Sequence, residues 1–331
     1  MVETFNVQHS TFNARPVFLA GPTAVGKSEI ALRLAERIGG EIISVDSMQV
    51  YRGLDIGTAK PSPAARARVP HHLIDICELT ESFDAAQFAR LAHRTVAEIQ
   101  SRGHLPILCG GTGLYFKAFL EGLDEMPSAD AKLRAELEAT PLEKLLEELR
   151  ERDPVTYGKI DKKNPRRVIR ALEVLRLTGK PFSEQKSRWG ETTGEPKAGP
   201  SRRDDRTARR AIPTKTNFFV LTRQPDDLRQ RIDARVDEMF ARGLVDETRE
   251  LLKRGLEQNK TAMQAIGYRQ VVEHLRGERS LTETIELVKT RTRQFAKRQL
   301  TWFRAQSDLE WIELKAGESL ERVTRRIWKI I

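Results

Sequence analysis

Apolar positions along this chain fall into two regimes. Short continuous runs at Val17-Phe18-Leu19-Ala20, Glu41-Ile42-Ile43-Ser44-Val45, Leu105-Pro106-Ile107-Leu108-Cys109, Asn217-Phe218-Phe219-Val220-Leu221 and Leu309-Glu310-Trp311-Ile312 have the length and texture of core strands. Between them, apolar residues recur at helical spacing. Glu29 to Ile38 is one such stretch; Asp84 to Arg102 carries Phe88, Leu91, Ala92, Val96 and Ile99 on one face, and Asp226 to Arg242 carries Leu228, Ile232, Val236 and Met239. Leu114 to Leu120, Leu281 to Arg304 and Leu320 to Ile331 complete the set. Strand and helix alternate, which predicts an α/β fold with a mostly parallel sheet and helices on its flanks.

The alternation breaks once. From about Gly122 strand-like runs vanish and short charged helices take over, opened by Ser128, by Pro141 and by Asn164-Pro165. Residues 122–188 are therefore expected to form an inserted all-helical domain. Residues 189–215 collapse to Gly, Pro, Thr and charge, with Arg202, Arg203, Arg206, Arg209 and Arg210, and predict a flexible basic linker. Residues 1–14 are polar and aperiodic, a disordered lead-in. The core domain is then 15–121 joined to 216–331.

Candidate chemistry enters between the first strand and the first helix. Gly21-Pro22-Thr23-Ala24-Val25-Gly26-Lys27-Ser28 fits G-x-x-x-x-G-K-[ST], which cradles phosphate when it turns a strand into a helix. Backbone N–H groups and the helix N-terminus supply partial positive charge, and Lys27 adds a full one. Ser28 is the expected hydroxyl ligand of an accompanying Mg²⁺. The loop is P-loop NTPase-like, but ATPases, kinases and transferases that expel diphosphate all need the same cradle.

Charge narrows the partner. The 331 residues carry a formal net charge of +10, which favours a large anionic partner, with nucleic acid first. No stretch approaches the ~18 apolar residues of a membrane span, and the start lacks a signal-peptide apolar region, so a cytoplasmic protein is expected. Cys77 and Cys109 each sit in an apolar run, as buried free thiols would. The adjacent histidines His71 and His72 lack the carboxylate spacing of a metal site and read as structural.

Asp46 directly follows the second strand. In an open α/β sheet, ligands bind beyond the carboxyl ends of the strands, so this carboxylate is placed for chemistry. An aspartate there also commonly closes a turn or caps a helix. Gly110 to Gly113 turns the next strand into a helix and places Thr112 on the same edge, where it also fits a helix N-cap.

Asp46-Ser47-Met48-Gln49-Val50-Tyr51-Arg52-Gly53-Leu54-Asp55-Ile56-Gly57-Thr58-Ala59-Lys60-Pro61 closely resembles the signature of the tRNA dimethylallyltransferases, also called tRNA isopentenyltransferases. The resemblance continues through Pro70 to Asp75, Gly110 to Phe116, Asn164 to Val174, Ala265 to Gln270 and Thr292 to Arg304. It spans residues about 17 to 304.

That resemblance implies an enzyme that moves a dimethylallyl group from dimethylallyl diphosphate to N6 of the adenine immediately 3′ of the anticodon, position 37, releasing diphosphate. It implies catalytic roles for Asp46, Thr23 and Arg235, and Mg²⁺ as cofactor. The P-loop residues Gly21, Pro22, Thr23, Ala24, Val25, Gly26, Lys27 and Ser28 would bind the diphosphate. The tRNA anticodon stem-loop would meet Asp46, Ser47, Met48, Gln49, Thr112, Arg134, Arg166, Arg167, Val168, Ile169 and Arg170, with Gln264, Ala265, Ile266, Gly267, Tyr268 and Arg269. Phe295 and Phe303 on the long basic helix are expected in the core. A monomer is expected, with no membrane partner. The P-loop by itself permits a rival, a nucleotide or small-molecule kinase.

Overall fold

The computed structural model describes residues 15–122, 127, 130–185 and 217–331. The expected lead-in 1–14, the linker 189–215 and the helix start at Ser128 lie outside the described residues. The described residues fall into two compact units, one containing 15–122 and 217–331, the other 127 and 130–185.

The first unit is built on six strands: β1 (Val17–Ala20), β2 (Gly40–Val45), β3 (His71–His72), β4 (Leu105–Gly110), β5 (Phe218–Arg223) and β6 (Glu310–Leu314). They lie in the order β3-β2-β4-β1-β5-β6, and every pairing is parallel. Between β1 and β5 come the helices α1 (Lys27–Ile38), α2 (Pro63–Arg68), α3 (Ala85–Ser101) and α4 (Gly113–Glu121).

The central strands are buried on both faces, so their sequences are largely apolar runs, interrupted in β2 by the buried Glu41 and Ser44. Alternation still sorts the side chains. Phe18, Ile43, Leu108, Phe218 and Val220 point into one core layer, while Val17, Leu19, Ile42, Ile107, Phe219 and Leu221 point into the other. Phe18 stacks on Phe218 with ring centroids 5.3 Å apart.

The second unit holds α5 (Ala131–Ala139), α6 (Leu142–Arg152), α7 (Pro154–Lys159), α8 (Pro165–Thr178) and α9 (Phe182–Gln185). Its own core is Leu137, Leu145, Leu149, Val168, Leu172 and Leu175 with their neighbours. The chain then returns to the sheet with β5 and continues through α10 (Pro225–Ala241), α11 (Leu244–Lys253), α12 (Tyr268–Leu275), α13 (Leu281–Arg304) and, after β6, α14 (Leu320–Trp328). Among the described residues no helix is long and apolar enough to cross a membrane.

Strand register fixes where the loops emerge. Gly110 pairs with Ala20 on one side and with Val45 on the other, and Ala20 pairs with Val220. The P-loop, the Asp46 turn and the Gly110 turn therefore leave adjacent strands at one level. This is the edge where open parallel sheets bind ligands.

Candidate active site

The P-loop is shaped from outside as well as from within. Ala24 adopts φ 63° and Gly26 φ 107°, left-handed conformations that turn successive N–H groups toward a common centre. Two carbonyls of the loop are drawn away by arginines. Arg231 Nε donates to the Ala24 carbonyl at 2.9 Å, and the buried Arg223 Nε donates to the Val25 carbonyl at 2.8 Å. Arg223 is itself held by Asp227 at 2.7 Å. Sequence reasoning missed Arg223, because a charged residue closing a buried strand carries no motif.

Two cations, Lys27 and Arg235, line one cavity beside the loop. Lys27 Nζ donates to the Pro22 carbonyl at 2.9 Å, and burial pushes its pKa from 10.5 down to about 8. Burial also lowers the Arg235 pKa, while the charge of Asp46 raises it back in part, as it does for Lys27. The Asp46 carboxylate thus stands within electrostatic reach of both. A cavity of about 410 Å³ is lined by Gly26, Lys27, Ser28, Arg231, Arg235 and Glu238.

Asp46 takes the turn-closing role that its position allows. Its Oδ1 accepts the N–H groups of Met48 at 2.8 Å and Gln49 at 3.2 Å, closing a turn. Gln49 extends the network, since its Nε2 donates to the Thr58 carbonyl at 3.1 Å and its Oε1 accepts from Ser44 Oγ at 2.9 Å. Thr112 precedes α4 but makes no side-chain cap; instead its Oγ1 accepts the Ser47 N–H at 3.2 Å. The turn holding Asp46 is thereby tied to the Gly110 turn.

A model of the IPP transferase family matches residues 49–306. The chain is 47% identical over 310 residues to the tRNA dimethylallyltransferase of Halorhodospira halophila, covering 92% of this chain and 93% of that one. The chain belongs to the tRNA dimethylallyltransferase family. Solved structures agree. The full-length tRNA isopentenylpyrophosphate transferase of Bacillus halodurans matches with TM-score 0.67 and 38% identity, covering 96% of this chain and 95% of that one. A eukaryotic dimethylallyltransferase acting on tRNA matches with TM-score 0.72 and 30% identity, over 91% of this chain and 74% of that one. Membership in this family supports prenyl transfer and not the kinase rival.

Within the family framework, the residues expected to meet tRNA divide by burial. In the second unit, Arg166 and Arg167 are exposed, but Val168 and Ile169 lie in the core, so their side chains are not available to RNA. Arg134 Nη2 and Arg170 Nη1 donate to Oε2 of the fully buried Glu173 at 2.9 and 2.6 Å, while each guanidinium stays partly open. In the first unit, Gln264 and Arg269 are exposed. Ala265 and Tyr268 are buried, and the Tyr268 hydroxyl donates to Glu247 Oε1 at 2.6 Å and accepts the Gly57 N–H at 3.1 Å. Tyr268 is thus a packing residue, a correction to the expectation that it faces RNA.

A second cavity, of about 460 Å³, lies along α12 and α13 and is lined by Gln264, Ile266, Arg269, Arg279, Arg291 and Arg298 among others. Phe303 is buried as expected. Phe295 is not, because it sits on the polar face of α13 beneath Arg298, whose guanidinium lies 5.8 Å from the ring centre.

Other candidate groups resolve as structural. His72 Nε2 and His104 Nδ1 each lie 2.6 Å from a carboxylate oxygen of Glu41, and Arg102 Nη2 donates to the same carboxylate at 2.8 Å. Asp75 pairs with Lys60 and with Arg66. Both cysteines are free and buried, and burial pushes the Cys109 thiol up to about 11.

Proposed function

We propose that this chain transfers a dimethylallyl group from dimethylallyl diphosphate to N6 of the adenine immediately 3′ of the anticodon in tRNA. The observation that carries the reading is the strand register that brings the Asp46 turn, at the end of β2, to the same sheet edge as the P-loop with Lys27. An acceptor for the amine proton and a nest for the departing anion are what this reaction needs side by side.

The lone pair on adenine N6 is delocalised into the ring, so the amine is a weak nucleophile. As N6 bonds to the allylic C1, the C1–O bond breaks and its electron pair leaves with the diphosphate, while Asp46 accepts the N6 proton. Charge develops on the leaving oxygens, where the P-loop amides, Lys27 and Arg235 are aimed. Thr23 is assigned a hydrogen bond near the bridging oxygen. The adenine must be unstacked to reach Asp46, as enzymes acting on a base commonly require.

The donor set fits Mg²⁺. Among the described residues no group of three His, Cys, Asp or Glu side chains builds a protein cage, and Ser28 offers one exposed hydroxyl beside the phosphate cradle. Mg²⁺ is habitually held in this way, by phosphate oxygens, water and one or two protein oxygens. When bound it would neutralise charge on the diphosphate.

The exposed Arg166, Arg167 and Arg269 and the partly open Arg134 and Arg170, with Gln264, are assigned to the tRNA anticodon stem-loop. Ser47, Met48, Gln49 and Thr112 line the entry of the target base. We take the protein to act as a monomer in the cytoplasm. The test is mass analysis of nucleosides from tRNA incubated with the protein and dimethylallyl diphosphate. A prenyl mass gain on adenosine beside the anticodon is expected. ATP consumption with small acceptors and no such gain would instead indicate a kinase.

A further inference from the structure

One side chain given no role above touches two of the loops that meet at the cradle. Gln299, on α13 and only 7% exposed, accepts the Thr23 N–H on Oε1 at 2.9 Å and donates from Nε2 to the Gly111 carbonyl at 2.9 Å. A primary amide is suited to this, having an acceptor and donors on one rigid plane. Space around it is filled. A Cβ at Gly111 would stand 2.2 Å from Gln299 Nε2, and a Cβ at Gly113 would stand 2.3 Å from the Trp302 ring one turn further along α13. The Gly111 and Thr112 N–H groups both donate to the Val45 carbonyl at 3.2 Å, and Thr112 holds Ser47. A chain of contacts therefore runs from Thr23 through Gln299 and the Gly110 turn to the residues flanking Asp46.

We propose that Gln299 is a positioning residue for prenyl transfer, holding Thr23 in register with the Asp46 turn. The inference rests on the transfer reaction and on the role of Thr23 proposed above. Binding the Thr23 N–H outside the loop takes that amide out of the phosphate nest and fixes the backbone from which the Thr23 hydroxyl projects. Lys297, Arg298 and Arg304 on the same helix are exposed. The group that sets the loop is thus carried by a helix whose outer face is basic, so the loop geometry is joined to the surface that suits RNA. Displacing a reacting group by about 1 Å can cost on the order of 10² in rate.

The test is a double-mutant cycle on single-turnover transfer with saturating tRNA. Gln299→Met keeps the volume and removes both hydrogen bonds. It is expected to lower the transfer rate roughly 10- to 100-fold, leave tRNA affinity within about threefold and keep a cooperative melting transition. Thr23→Ala keeps the N–H that Gln299 binds and removes the hydroxyl. If Gln299 acts through Thr23, adding Gln299→Met to Thr23→Ala lowers the rate no further. Gln299→Asn, with an arm one methylene shorter, is the second variant should the methionine fail to fold, and the same pattern is expected. Multiplying losses in the double variant, an unchanged rate in the Gln299 variants, or a silent Thr23→Ala would each overturn the inference while wild-type transfer stands. Absence of transfer by the wild type would overturn the parent reading, and the inference with it.

Discussion

The Asp46 carboxylate holds the N–H of Met48 through Oδ1 at 2.8 Å, so the residue assigned to take a proton also builds the turn that presents it. Substitutions separate the two duties. Asp46→Asn keeps an oxygen for Met48 and Gln49 but removes the negative charge and the base. It should fold normally, bind tRNA within about threefold of wild type and transfer prenyl about 10²- to 10⁴-fold more slowly. Asp46→Ala also loses the turn acceptor and should cost a further ~1 kcal/mol of stability, as loss of a similar side-chain-to-backbone cap does. Single-turnover rates beside tRNA binding curves decide it; loss of binding in step with rate would make Asp46 structural.

Lys27 gives the cradle a pH limit. Its pKa is depressed to about 8, chiefly by burial. An anion binds the charged form, so above pH 8 the free protein must take up a proton to bind. Dimethylallyl diphosphate loses its last proton near pH ~6 and changes little above that. Its affinity should therefore hold from pH 7 to 7.5 and fall roughly tenfold by about pH 9. Lys27→Arg, charged throughout, should bind without that decline. Titration calorimetry in buffers of different ionisation enthalpy should register proton uptake near pH 8.5 in the wild type; constant affinity from pH 7 to 9 would contradict the assignment.

Glu41 predicts acid behaviour of the fold. Burial by itself raises its pKa, but hydrogen bonds from Arg102, His104 and His72 outweigh this and hold it at about 2, below the ordinary 4.5. A depressed carboxylate stabilises the fold above its unfolded pKa and loses that contribution as pH falls through the folded one. Glu41→Gln should thus lose about 1.5–3 kcal/mol at pH 7, the range for hydrogen bonds to a charged group. The two stability curves should converge between about pH 4.5 and 2. Urea denaturation across that range tests this, and a gap that persists unchanged to pH 2 would sink it.

The sheet was legible because β1, β2, β4 and β5 are buried on both faces and so appear as apolar runs, and the P-loop was legible because its spacing is dictated by phosphate. The helix α13 emerged with its bounds intact, Leu281–Arg304. What stayed hidden was long-range pairing. Gln299 meets Thr23 across 276 residues and Arg223 meets Val25 across 198, and neither polar side chain differs in sequence from a solvated one. The short helix α2 carries too few apolar positions to declare a period. A motif reads as a contiguous word and so carries Val168, Ile169 and Tyr268 along with its exposed letters, whereas the fold turns these three into the core.

Tyr268 is the sharpest case of that difference. Its ring is fully buried, and its hydroxyl joins Glu247 to the Gly57 N–H, while the Glu247 carboxylate also accepts the Ile56 N–H at 3.0 Å. The segment it secures follows the Asp46 turn and is bound to it through Gln49 and Thr58. Tyr268→Phe leaves no cavity but removes the donor to the half-buried Glu247 carboxylate, a loss of about 1.5–3 kcal/mol. tRNA affinity at saturating folded protein should stay within about threefold. The neighbouring Arg269 is exposed, and Arg269→Ala should do the reverse, sparing stability while weakening tRNA binding and reducing its salt dependence by about one counterion. Urea denaturation paired with binding at several salt concentrations separates the two. A Tyr268→Phe variant as stable as wild type but poor in tRNA binding would return this side chain to the RNA surface.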